Sequence, residues 1–178
     1  MRVALARGLW RPMTEADLAT VCAVADAIHV AYPEDDAVFA ERFRLYPEGC
    51  AVFERDGQTA AYAITHPWRY GAPPSLNVML AALPEAPTTY YIHDIALLPA
   101  ARGTGAGSAI VEAVIAHARD TGMPNVSLVA VNKSVPFWSR FGFAVTDEPA
   151  VAAKLLTYDA DARFMVRPIP SPRVRGEG

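Results

Sequence analysis

The chain has 178 residues, 52% apolar and 20% charged, with a formal net charge of −3. That length and composition suit one packed domain, and the mildly acidic balance excludes a nucleic-acid footprint. No apolar run approaches the roughly 18 to 20 residues that span a bilayer, so no membrane partner is expected. Arg2, Arg7 and Arg11 enclose no continuous apolar core, so the N-terminus does not read as a secretory signal. Cys22 and Cys50 lack CxxC spacing, which points to a reduced, cytoplasmic setting.

Leu5 to Pro12 reads as a first strand. Thr14-Glu-Ala-Asp17 reads as a capping-box variant, with a hydroxyl N-cap and a carboxylate three residues on. Leu18, Val21, Cys22, Ala25 and Ile28 recur at helical spacing and predict a helix to about Val30. Asp36 caps a second, short helix with Phe39, Phe43 and Tyr46 on one face, stopped before Pro47. The turn between these helices carries Tyr32, Glu34, Asp35 and Asp36. Its acidic residues suit a cationic amine, or are simply a solvated loop that caps a helix.

Cys50 to Arg55 and Thr59 to Thr65 are two strands joined by Asp56-Gly57, a strong hairpin signal. His66 to Thr89 is long and rich in Pro, Gly and Ala, and loops of that length usually serve a purpose. A strand or helical turn is expected near Leu76 to Ala82. Tyr90 to Leu97 is the next strand. Ile110, Val111, Val114, Ile115 and Ala118 then predict a helix over about Gly105 to Thr121, ended by Gly122 and Pro124. Val126 to Val131 reads as a buried strand, Ser134 to Arg140 as a short helix closed by Gly142, and Phe143 to Val145 as the start of a strand. Ala162 to Arg167 is the last strand. The order β-α-α-β-β-β-α-β-α-β-β predicts an α+β fold with helices on a central sheet. Residues 1–170 form the expected domain, and 171–178 read as a disordered tail.

Arg102-Gly-Thr-Gly-Ala-Gly107 sits between a strand and a helix. Glycines let backbone N–H groups converge on an anion, and the helix start adds its positive end. No Lys follows as a Walker loop requires. The dinucleotide fingerprint fails as well, since its third glycine would fall on Ser108 or Ile110. A glycine-rich turn with no ligand is the plain alternative.

Arg102-x-x-Gly105-x-Gly107 resembles the R/Q-x-x-G-x-G/A motif of the GNAT superfamily of N-acetyltransferases. Val131-Asn132 followed by Ser134-Val-Pro-Phe-Trp-Ser-Arg-Phe-Gly-Phe143 resembles that superfamily's second landmark, and Met165 to Ile169 resembles its last strand. The resemblance spans roughly Leu9 to Pro168. It implies a mixed, mostly antiparallel central sheet flanked by helices. It also implies acetyl-CoA as co-substrate, held by Ile95, Ala96, Leu97, Leu98, Arg102, Gly103, Thr104, Gly105, Ala106, Gly107 and Ser108, with Asn132, Ser134 and Trp138 from the second motif. Asn132 doubles as a candidate helix N-cap. Locally the wording is most similar to arylalkylamine N-acetyltransferases. His93 falls on the second histidine of their strand motif, Tyr91 replaces the first, and Trp138 replaces a tyrosine that acts as general acid in many relatives.

An alkylamine near the lysine reference pKa of about 10.4 must lose a proton before it attacks a thioester. His93 suits that task directly or through water, against a reading as a hydrogen-bonded core histidine. On a regular strand Asp94 points the other way, and it is the second candidate base. A backbone N–H near Leu97 can stabilise the oxyanion. The indole of Trp138 is a poor proton donor, which leaves water, Ser134 or Tyr158 as the acid. Tyr32, Trp68, Tyr91 and Val129 are the expected acceptor contacts. His29 reads as a dipole partner at the end of the first helix, and His117 as a surface residue. No metal set is present in the spacing of the four histidines.

The expected activity is acetyl transfer to a small primary amine, aromatic amines included, by direct attack in a ternary complex. A protein lysine or N-terminus as acceptor, or an acyl-CoA-binding module without catalysis, are the alternatives. A monomer or a homodimer is expected.

Overall fold

Where the sequence predicts one strand over Leu5 to Pro12, the computed structural model has a hairpin of two, β1 (Val3–Leu5) and β2 (Gly8–Pro12). Ala6-Arg7 makes the turn and lacks the Gly, Asn or Asp that announces one. Gly8 is required there, because a Cβ would lie 2.3 Å from the Phe53 ring. The structure describes residues 1–156, 158 and 160–170, so the expected disordered tail, 171–178, lies outside the described residues.

Asp17 sets the entry to the first helix. Its Oδ2 accepts the Thr14 N–H at 2.7 Å and the Thr14 hydroxyl at 2.8 Å. Its two oxygens also take a bidentate pair of bonds from the Arg11 guanidinium, at 2.8 and 2.7 Å. A single 3₁₀ turn then leads into α1 (Leu18–Ile28), and α2 (Asp36–Leu45) follows after the 29–35 turn. β3 (Cys50–Arg55) and β4 (Gln58–Trp68) join at Asp56-Gly57, both with positive φ as a two-residue hairpin turn requires. β4 runs past the predicted end at Thr65 and through Pro67. It can do so because β3 stops pairing at Ile64, so Pro67 has a partner strand on one side only.

β5 (Thr89–Leu97), α3 (Ala106–Asp120) and β6 (Asn125–Ala130) form the one parallel crossover. α4 (Val135–Ser139), β7 (Ala144–Val145), α5 (Pro149–Leu155) and β8 (Arg163–Pro168) complete the chain. α5 is an addition to the predicted order. Its sequence cue is Pro149 at the first helical position, ahead of Ala-Val-Ala-Ala. No strand or helix forms over Leu76 to Ala82, only a turn at Leu76-Asn77.

Among the described residues, eight strands form one open sheet in the order β1-β2-β3-β4-β5-β6-β8-β7, antiparallel except between β5 and β6. Alternation along β3 divides the core. Ala51 and Phe53 face α3, whose Ile110, Val111, Val114 and Ala118 are fully buried. Cys50 and Val52 face α1 and α2, against Val21, Cys22 and Phe39. Helices thus cover both faces of the sheet.

Arg11 and the Thr14 groups outweigh the burial of Asp17 and hold its carboxyl well below the usual range. Such a group adds stability above its unfolded pKa and loses it as pH falls through the folded value. Asp17→Ala should therefore cost about 1 to 3 kcal/mol at neutral pH. Its deficit against the parent should shrink in acid, which denaturant melts at pH 7 and pH 3 will show.

Candidate active site

β4 and β5 change register between Ile64 and Thr65: Ile64 faces Asp94, but Thr65 faces Ile92. His93 is the extra residue of a β-bulge. In a regular strand His93 and Asp94 would point to opposite faces. Here both line one cavity of about 310 Å³, together with Tyr91, Ile95, Ala96 and Leu97. Its far wall carries Leu128, Val129 and Val131. β5 and β6 pair only over Tyr90–Ile92 and Val126–Leu128, so past those residues the two strands part and leave the β5 edge without a β6 partner.

Two histidine–carboxylate pairs tie the α1–α2 turn to the bulge. His93 Nε2 lies 2.9 Å from Glu34 Oε2, with both side chains 7% exposed. His29 Nε2 lies 2.9 Å from Asp94 Oδ1. Asp94 also accepts a hydrogen bond from the Tyr62 hydroxyl of β4. Burial would raise the Glu34 carboxyl, but His93, the Asn77 N–H and Arg42 outweigh it and hold Glu34 below its ordinary value. An ionised carboxylate only accepts hydrogen bonds, so His93 Nε2 carries the proton and Nδ1 is the basic atom of the neutral ring. Burial disfavours the His29 cation, yet the bond and charge of Asp94 raise its pKa overall. The His29 ring therefore serves Asp94 rather than the helix end, although the residue is the C-cap of α1. Burial and the Asp94 charge push the Tyr62 phenol well up.

The connection from 69 to 88 is fastened over this site by side chains. Glu41 accepts the Leu80 and Ala81 N–H groups at 2.7 and 2.9 Å. Arg42, fully buried, donates to Glu41 and to the Val78 carbonyl. Glu34 Oε1 accepts the Asn77 N–H at 2.9 Å. The Tyr158 hydroxyl donates to the Pro74 carbonyl at 2.6 Å, and burial lifts its pKa to about 12. Leu76 of this connection and Tyr158 both line the cavity.

The glycine loop forms an open cradle at the start of α3. Gly103 and Gly105 have φ of 71° and 85°, and a Cβ on either would meet nothing within 4 Å. Thr104 Oγ1 donates to Ala101 and receives the Ala106 N–H at 3.3 Å. The next first-turn amides, of Gly107 and Ser108, have no partner within the helix. The cradle and the unpaired β5 edge fit a pyrophosphate and an extended amide-bearing arm, as expected of acetyl-CoA.

Ile95, Ala96, Leu97, Arg102, Asn132, Ser134 and Trp138 line the cavity, as do Tyr32, Tyr91 and Val129. Gly103 to Ser108 form the turn beyond it, while the Leu98 N–H is spent on Ala60 of β4. Asn132 is not a helix cap; Ser134 is the N-cap of α4. The Trp138 indole N–H donates to Ser134 Oγ at 3.2 Å. Trp68 does not line the cavity. The extended β4 carries it away, its N–H bonds the Ala72 carbonyl at 2.8 Å, and its ring packs edge-on to His66. Burial pushes His66 down to about 3, so that ring is neutral. His117 is not a surface residue, since its Nε2 meets the Tyr46 hydroxyl at 3.0 Å. Sequence reasoning missed His29 and Tyr62 as site residues and saw Glu34 only as part of an acidic turn. Among the described residues no cluster of three or more His, Cys, Asp or Glu can hold a metal, and no helix is long and apolar enough to cross a membrane.

If the cradle binds a pyrophosphate, Gly105→Val should lower coenzyme A affinity at least tenfold. The branched residue is strained at that φ and fills the cradle. Gly57→Ala, at another positive φ in the β3–β4 turn, should leave coenzyme affinity unchanged. Calorimetric titration with coenzyme A checks both, and equal affinities for Gly105→Val and parent would refute the assignment.

A profile of the acetyltransferase (GNAT) family matches residues 16–143. No curated protein matches the sequence significantly. Among solved structures, Ard1 from Thermoplasma volcanium superposes with a TM-score of 0.71 at 20% identity, covering 93% of this chain and 99% of that one. Naa50 from Arabidopsis thaliana, solved with the bisubstrate analogue CoA-Ac-MVNAL, gives 0.66 at 13% identity, covering 90% and 97%. The ribosomal-protein-S18-alanine N-acetyltransferase from Escherichia coli gives 0.64 at 18% identity, covering 100% of each chain. At such identities these structures speak for the fold, and the family profile spans most of the chain. The protein belongs to the GNAT acetyltransferase family and is an acyl-CoA-dependent N-acetyltransferase.

Proposed function

We propose that this enzyme acetylates a small primary amine, by direct attack on acetyl-CoA in a ternary complex, with His93 taking the proton. The bulge is the observation that carries the reading, because it turns His93 into the cavity next to the unpaired edge of β5. Acetyl-CoA supplies the thioester. The residues of the chain do the rest. Gly103 to Ser108 and Arg102 hold the pyrophosphate end, and Ile95 to Leu98, Asn132, Ser134 and Trp138 flank the arm. A β5 amide near Leu97 faces the carbonyl oxygen as negative charge develops there. Nδ1 of His93 accepts the amine proton directly or through one water. Cys22 and Cys50 are buried and their thiols are pushed up to about 12, so neither suits a covalent route.

The acceptor's size is argued from the walls. Tyr32, Tyr91, Val129, Leu76 and Tyr158 surround the acceptor end, and the 69–88 connection is bonded down over it. These aromatic and aliphatic walls suit a compact amine with an apolar body. The narrower likeness to arylalkylamine N-acetyltransferases rests on the His93 strand and the 135–143 segment alone. A peptide α-amine is the second reading, favoured by relatives named for or solved with such acceptors. The Trp138 indole is engaged by Ser134, so the thiolate is left to water or to Tyr158, which lines the cavity and would have to release its bond to the Pro74 carbonyl.

Thiol release from acetyl-CoA should be measured over a panel of alkyl, arylalkyl and peptide amines. Small amines should turn over fastest. His93→Ala should lower kcat roughly 100- to 10,000-fold with coenzyme affinity unchanged. Full activity in His93→Ala with loss in Asp94→Asn would move the base to Asp94. A peptide preference would replace the small-amine reading.

A further inference from the structure

We infer that Glu34 is a positioning residue that fixes the His93 ring and couples it to closure of the 69–88 connection. The inference rests on His93 as the base and extends that reading to the acceptor side of the site.

Both Glu34 oxygens are committed. Oε2 meets His93 Nε2, and Oε1 receives the backbone N–H of Asn77. One carboxylate therefore joins the bulge of β5 to the cover of the cavity. The cover itself has little regular structure to hold it. Asn77 and Ala81 take φ of 56° and 64°, a region an alanine seldom adopts. Val78 and Met79 between them point largely to solvent, 45% and 51% exposed. Side-chain bonds hold this stretch: Glu41 to the Leu80 and Ala81 N–H groups, Arg42 to the Val78 carbonyl, the Asn77 side chain to Asp35, and Glu34 to the Asn77 N–H. Only the last of these clamps also touches the proposed base.

The consequence is a link between cover and chemistry. With the cover down, Asn77 occupies Oε1 and orients the carboxylate so that Oε2 faces the imidazole. His93 is then held with Nε2–H on Glu34 and Nδ1 as the basic atom. When Nδ1 takes the amine proton, the resulting imidazolium stands against an ionised partner. The groups facing the Glu34 charge are His93 from β5, Arg42 from α2, His29 from the end of α1, and the phenols of Tyr62, Tyr91 and Tyr158; His93 and Arg42 favour its anion. With the cover lifted, the Asn77 bond is lost and the carboxylate rotor is released.

The test uses the full-length enzyme and three variants. Glu34→Gln can keep one acceptor for His93 but loses charge and presents an N–H toward one of its two donors. Glu34→Ala loses everything, and Glu85→Gln, at an exposed residue of the same connection, is the control. We expect Glu34→Gln to lower kcat roughly 10- to 100-fold with unchanged coenzyme A affinity. Hydrogen exchange at the Asn77 amide should quicken in Glu34→Gln and Glu34→Ala, while Leu80 and Ala81 stay protected by Glu41. The downfield His93 Nε2–H proton signal should disappear in Glu34→Ala. Glu85→Gln should match the parent in kcat, coenzyme affinity, Asn77 exchange and the ring-proton signal. A wild-type kcat in Glu34→Gln, or an unchanged His93 ring-proton signal in Glu34→Ala, would overturn the positioning role. Unchanged exchange at Asn77 would overturn the coupling to the cover. If no amine turns over with the parent enzyme, the acceptor reading fails, and the exchange and ring-proton signals then decide on Glu34 by themselves.

Discussion

One inserted residue governs the site. If β4 and β5 kept register past Ile64, the strand would send His93 to one face of the sheet and Asp94 to the other. The bulge brings both to the cavity. It falls where β5 also loses its second neighbour, since β6 pairs no further than Leu128. The same stretch of backbone thus supplies two titratable side chains and a strand edge with no β6 partner. Neither would be useful without the other: the edge can hold an extended acyl carrier, and the side chains meet what approaches it.

A bulge with two ionisable residues is unstable on its own terms, because burying an unpaired charge is expensive. The α1–α2 turn answers this by exchange. It offers His29 to Asp94 and Glu34 to His93, so each carboxylate meets a histidine from the opposite segment. Breaking one partner of such a buried pair typically costs about 3 to 5 kcal/mol, mostly from the charge left behind. The exchange therefore also fixes the turn that carries Tyr32. Behind it, the buried Glu41–Arg42 pair is spent on holding backbone of the 69–88 connection. Charge in this protein's interior thus serves to place irregular chain.

What the sequence reveals follows from the range of the interactions. Local chemistry was legible: Asp56-Gly57 between alternating strands, the apolar stripe Ile110 to Ala118, and the glycines of the Arg102–Gly107 loop. These depend on neighbours within a few residues. The β1–β2 turn at Ala6-Arg7 and the start of α5 at Pro149 were missed because their signals are weak or ambiguous. Pro67 in a strand contradicts a rule that holds only where both sides are paired, and pairing is not local. The bulge is invisible to a period-two reading, since an insertion changes parity without changing composition. Glu34 and His93 stand 59 positions apart. Nothing in either neighbourhood announces the pair, and a carboxylate in an acidic turn reads as solvated until the fold closes on it.

The most direct measurement is a crystal structure of the enzyme with coenzyme A and the acetylated amine product bound together. The account predicts the coenzyme arm along β5 past Ile92, between β5 and β6, with its pyrophosphate on the amides of the Gly103–Ser108 turn. The product nitrogen should lie within hydrogen-bond reach of His93 Nδ1, about 2.6 to 3.2 Å or through one water, with Glu34 still on Nε2. A product nitrogen seated on Asp94, with His93 turned away from it, would contradict the account.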